Sequence, residues 1–132
     1  KLPKEGSKLI FMQKNNQLMA KIILLVTSEA NLGSTGKKTG WYLPEVAHPF
    51  ELFIAKGYDI TFASPKGGLA PADPNGVKDF ANDEVCKKFR KEHLNENDEL
   101  KTVKMSTLKA KDYDVIFYAG GHGTMYDFPN DD

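Results

Sequence analysis

The sequence is short of several things that would decide its class. It has a single cysteine, Cys86, so no disulfide can form within the chain. That fits a reducing compartment, and the expected location is cytoplasmic. Neither sign of charge is in excess: Lys+Arg and Asp+Glu each total 18. Such a balance leaves no electrostatic footprint for nucleic acid or for an anionic membrane. Long hydrophobic runs are missing, and the aliphatic stretch from Ile22 to Val26 is far too short to span a bilayer. Metal-ligand spacing is missing as well. His48, His93 and His122 are far apart and neither CxxC nor HExxH occurs, so no metal is expected. What remains is an ordinary globular composition: 132 residues, 40% hydrophobic and 27% charged, enough for one domain.

The chain reads as alternating strands and helices. "MAKIILLVTS", from Met19, looks like a start that runs straight into a buried strand. Residues 1–18 are then expected to be a leader or extension, with an extra edge strand over Lys8 to Gln13 as the alternative. Lys21 to Thr27 is a continuous aliphatic run of the kind buried on both faces of a parallel sheet. A Gly-, Ser- and Thr-rich loop follows, from Ser28 to Trp41. A helix is expected from about Pro44 to Lys56, with Val46, Phe50, Phe53 and Ile54 on its apolar face and Gly57 just past its end. Pro44 suits a first turn, whereas Pro49 argues for a later start. Tyr58 to Ser64 is the second strand, and the Pro- and Gly-rich stretch 65–76 reads as loop. Asn82 to His93 is a charged helix with Val85 and Phe89 as its stripe and Cys86 beside them. "ENDEL" reads as a solvated break, Val103 to Leu108 as a connector, and Val115 to Ala119 as the third strand. That order predicts right-handed crossovers and a parallel sheet. Three parallel strands make a poor core, so the sheet is expected to be incomplete in this chain.

Ligands of open α/β sheets bind beyond the carboxyl ends of the strands. The loop after Val115 to Ala119 is "GGHGT", Gly120 to Thr124. Glycines there permit close backbone approach, and their N–H groups could stabilise an oxyanion. A plain turn is the alternative, and no Lys-Ser or Lys-Thr follows to make a phosphate loop. Glu45 lies between aromatic and apolar residues, where desolvation would let it carry a proton near neutral pH. The residues alone favour a simpler role, a helix-start glutamate stabilised by the dipole. His48, one helical turn on, is a pocket residue or a packing histidine; His122 points into a site or satisfies its own turn. Cys86, on a charged helix away from the strand ends, is expected to be structural. Asp127 is expected to cap or brace the turn that follows it.

Together, "KTGWYLPEVAHPFELFIAKGYDITFASPKGGLAPADPNG" and "DYDVIFYAGGHGTMYDFPND" resemble the N-terminal part of the ThiJ/PfpI superfamily, which shares the class I glutamine-amidotransferase-like fold. The nearest branch in pattern is that of the heat-shock chaperones and glutathione-independent glyoxalases. The resemblance implies a flavodoxin-like α/β fold, a parallel sheet with helices on both faces. It places the branch's acidic residue on Glu45 and its oxyanion donor on Gly121, with Gly120 as hinge. His122 and Gly123 fall beside them in the pocket, with His48 nearby. The Ser64 to Asn75 segment borders the site. The family's nucleophile is a cysteine followed by a histidine on a later strand-to-helix elbow. No such elbow occurs here, and the surroundings of Cys86 do not match it. The resemblance therefore implies a C-terminal polypeptide carrying that Cys-His elbow as partner. It further implies a small aldehyde substrate such as methylglyoxal, a homodimer and no cofactor. A holding chaperone without turnover, and an amidase or peptidase, are the alternatives within the superfamily.

Overall fold

The computed structural model describes residues 19–130, so the reading of 1–18 lies outside the described residues. Five strands form one sheet, in the spatial order β3 (Gly68–Pro71), β4 (Glu99–Lys104), β2 (Asp59–Ser64), β1 (Lys21–Leu25), β5 (Val115–Tyr118). The central strand β1 (Lys21–Leu25) pairs in parallel with β2 (Asp59–Ser64) on one side and β5 (Val115–Tyr118) on the other. Its last four residues are all buried, as a two-sided aliphatic strand requires. Beyond β2 lies β4 (Glu99–Lys104), also parallel, and β3 (Gly68–Pro71) closes that side antiparallel to β4.

Two of these strands correct the sequence reading. β4 occupies the expected break and connector. Its Leu100 and Thr102 face inward while Glu99 and Lys101 face out, a period of two hidden by the charge. β3 arises inside the expected loop. It is a short edge strand ending on Pro71, a position where a missing N–H breaks no ladder. The same loop contains helix α2 (Pro74–Asp79), capped by Asp73, whose side chain accepts from Asn75 N.

Helix α1 (Leu43–Ala55) starts at the first proline rather than later, and Pro49 stands inside it. The lost hydrogen bond is offset by packing: Leu43, Val46 and Ala47 are buried, and Phe50 stacks among Phe62, Phe89 and His93. Ile54, expected on the apolar face, is 48% exposed. Gly57 ends the helix with φ +77°, as expected of a glycine just past a helix. Helix α3 (Glu84–His93) is capped by Asp83, which accepts from Cys86 N. It buries Cys86 and Phe89.

These two helices cover the sheet face that carries Leu24, Ile60, Phe62 and Phe117. The opposite face, Ile23, Leu25 and Ala63, is covered by Met105, Leu108 and Tyr113 from short turns and by Phe128. β5 ends the sheet with Val115, Ile116 and Tyr118 exposed.

Candidate active site

The parallel strands deliver three loops to one end of the sheet, and backbone hydrogen bonds fasten them together. The segment Thr39 to Tyr42 is the hub. Trp41 N donates to Pro71 O at 3.1 Å, Asp73 N donates to Trp41 O at 2.8 Å, and Tyr42 N donates to Gly120 O at 3.0 Å. Trp41 is fully buried and its Nε1 donates to Ala70 O. The hub therefore ties the start of α1 to β3, α2 and the glycine turn at once.

That turn packs directly on the hub. Gly121 has φ +143°, and a Cβ there would run into Gly40 O and the Trp41 backbone. Only glycine fits. A Cβ on Gly120 would strike the Glu45 carboxylate, so the acid lies against the turn. The N–H of Gly121 has no acceptor among the described residues. Below the turn, Gly123 is buried against Thr27 at the end of β1. A short helix, α4 (Thr124–Asp127), then brings Asp127 back to the same strand end. Its carboxylate accepts from Thr27 Oγ1 at 2.8 Å and from Ser28 N at 2.6 Å. Asp127, expected to cap or brace the turn that follows it, instead spends its carboxylate on the end of β1.

Between hub, turn and α2 lies an open cleft of about 630 Å³, within the range of small-molecule sites. Tyr42 and Glu45 line one side, and Gly120, Gly121 and His122 another. Asp73, Asn75 and Asp79 form the third wall; the first two lie in the segment expected to border the site, whereas Asp79 and the helix α2 that carries it are not read from the sequence. Asp73 and Pro74 were the available signal, a cap followed by a first-turn proline. A neighbouring cleft of about 590 Å³ shares Asp73, Asn75 and His122 and adds Lys37 and Lys38. His122 is exposed, and its imidazole makes no hydrogen bond or ion pair among the described residues.

Glu45 stands exposed in the first turn of α1, the simpler role that its residues alone favour, and not desolvated; burial falls on its neighbours Trp41, Leu43 and Val46. His48 does not join the cleft. It faces α3, with Nε2 3.2 Å from Asp83 Oδ1. Cys86 is buried beside that pair. Burial first, and then the Asp83 carboxylate, push its thiol up to about 12. Such a thiol is a poor nucleophile at neutral pH.

Known proteins resemble the chain in sequence and fold. No family profile matches the chain. Glyoxalase 3 of Candida albicans is 42% identical over 114 residues, which make up 85% of this chain and 48% of that protein. The glutathione-independent glyoxalase HSP31 of Saccharomyces cerevisiae is 32% identical over 111 residues, 83% of this chain and 47% of that protein. The chain thus spans about half the length of the curated relatives it matches. Among solved structures, Rapid Encystment Protein 24 kDa of Francisella tularensis superposes with a TM-score of 0.65 at 34% identity, over 85% of this chain and 49% of that one. Glyoxalase III of Candida albicans does so with a TM-score of 0.59 at 34% identity, over 85% and 48%. Sequence and fold agree, and the chain belongs to the ThiJ/PfpI superfamily, related to its glutathione-independent glyoxalases.

Proposed function

We propose that this chain contributes the proton-transfer and oxyanion elements of a cysteine-dependent, glyoxalase-like enzyme that converts methylglyoxal to lactate. The observation that carries the reading is the packing of the Glu45 carboxylate against Gly120, one residue from the unclaimed N–H of Gly121, in a cleft at the strand ends. In this reading a thiolate adds to the aldehyde carbon and the carbonyl electrons move onto oxygen. The Gly121 N–H stabilises that alkoxide. Glu45 takes the proton from the former aldehyde carbon and returns it to the neighbouring carbon, which leaves a thioester of the hydroxy acid. Water then releases lactate and restores the thiol. His122 and Asn75 border the space the dicarbonyl would occupy.

The thiolate is not Cys86, which is the chain's single cysteine and is buried against α1 and away from the cleft. We assign it to a C-terminal polypeptide with a Cys-His elbow. The outer edge of β5, with Val115, Ile116 and Tyr118 exposed, offers that polypeptide a place to extend the sheet. The same apolar strand supports a second reading, a holding chaperone that captures unfolded segments.

Lactate formation from methylglyoxal without glutathione tests the first reading. It should be measured for the chain alone and with the Cys-His polypeptide added. Turnover is expected only for the combination, and Glu45→Gln should lower kcat by about 10²-fold or more. Undiminished turnover by the Glu45→Gln variant would sink the assignment. Protection of a denatured client without any turnover would favour the chaperone.

A further inference from the structure

The fold brings together three side chains that the sequence keeps apart. His48 comes from the second turn of α1. Asp83 is the cap of α3 and Cys86 lies in its first turn. Their ligand atoms all lie within 4.8 Å of one another, with His48 Nε2 and Asp83 Oδ1 at 3.2 Å. Asp83 is held in place because it accepts from Cys86 N at 2.9 Å, which also fixes the backbone that carries the thiol. The cluster faces α3 and shares no residue with the cleft that holds Glu45 and Gly121.

We propose that His48, Asp83 and Cys86 form a zinc site with three protein ligands and a fourth position open to water. The donor set decides the metal class. One imidazole, one carboxylate and one thiolate suit a borderline-soft cation and exclude magnesium or calcium, which take oxygen ligands. Tetrahedral zinc with bonds of about 2.0–2.3 Å sets its ligands roughly 3.3–3.7 Å apart. The cluster therefore needs to contract by about an ångström from its widest separation. His48 is the exposed member and can make that movement, while Cys86 is fixed in the core. Its exposed side is where the water would bind.

Coordination by a thiolate displaces the thiol proton, and a divalent cation neutralises the Asp83 carboxylate. Binding should therefore release protons and clamp α1, which carries Glu45, to α3.

The experiment is a titration of the chelator-treated 132-residue chain with cobalt(II), followed by displacement with zinc. One equivalent per chain is expected, with a sulfur-to-cobalt charge-transfer band in the near ultraviolet and intense visible bands of tetrahedral geometry. Zinc should abolish both and raise Tm. Cys86→Ser should lose the charge-transfer band, but it alters a core position. His48→Ala alters only an exposed one and should weaken zinc binding by at least about tenfold. Zinc affinity unchanged in His48→Ala would overturn the proposal. So would cobalt binding without a charge-transfer band, or no binding at all.

Discussion

Replacing Gly121 with alanine isolates the worth of the close approach between the glycine turn and the Thr39 to Tyr42 hub. Gly121 sits at φ +143°, a conformation that side-chain-bearing residues resist. A Cβ would meet Gly40 O and lie 2.9 Å from Trp41 Cα and 3.2 Å from Tyr42 N. All three neighbours are backbone. Trp41 is pinned on both sides by hydrogen bonds and fully buried, so it cannot retreat cheaply. The conformation alone costs about 1–3 kcal/mol. Forcing a methyl into filled space adds about 1–3 kcal/mol. The sum, roughly 2–6 kcal/mol, is a large share of the 5–15 kcal/mol that typically holds a domain together. Gly36→Ala is the control: φ is +77° and nothing lies within 4 Å of the added carbon. It reports the conformational cost without the collision. Urea unfolding of both variants should show Gly121→Ala losing about 1–3 kcal/mol more than Gly36→Ala, at similar slope. Equal losses would refute the argument that the hub and the turn are locked by contact.

Asp127→Ala removes the acceptor for Thr27 Oγ1 and Ser28 N. It should cost about 1–3 kcal/mol in urea unfolding, with Asp127→Asn recovering part of that. His93 offers a pH test. Burial among Phe50, Phe62 and Phe89 lowers its pKa from 6.5. The unfolded chain then binds the proton more readily than the folded one. This contribution is therefore fully present above 6.5 and is lost as pH falls through the folded value. Stability measured across that window should decline towards acid, and His93→Gln should flatten the decline.

The parts of the fold legible in the sequence are those whose pattern is local and unbroken. β1, β2 and β5 are aliphatic or aromatic runs, and Phe50 and Phe89 mark the inner faces of α1 and α3. β4 was hidden because lysines at 101 and 104 and Glu99 outnumber the inward Leu100 and Thr102. β3 needs only four residues because the Trp41 indole holds Ala70 O and Thr102 Oγ1 holds Gly68 O, contacts no local pattern encodes. At the candidate site, Glu45 and the glycine turn were readable as motifs, and the structure places them in contact. The partner of His48 was not, because Asp83 and Cys86 reach it only through the packing of two helices. Thr27 reads in the sequence as the end of a strand; its hydroxyl is the anchor for Asp127, a link across 100 positions.

How the site is held also decides how its chemistry can be tested. The turn, the hub and the cleft wall are joined by main-chain hydrogen bonds: Tyr42 N to Gly120 O, Trp41 N to Pro71 O, Asp73 N to Trp41 O. Thr27, Asp127 and Trp41 supply side-chain bracing from outside the cleft, and Asp73, which accepts from Thr39 Oγ1 and Asn75 N, supplies it from the cleft wall. Glu45 and His122, the groups proposed to face substrate, are exposed and carry none of that load. Glu45→Gln and His122→Gln should therefore change unfolding free energy by no more than about 0.5 kcal/mol. With stability unchanged, any loss of turnover in these variants belongs to proton transfer or substrate contact. A loss of 2 kcal/mol or more, on the order of a core substitution, would mean the main chain does not hold the site by itself. Glu45 would then have to be counted among the supports of the glycine turn.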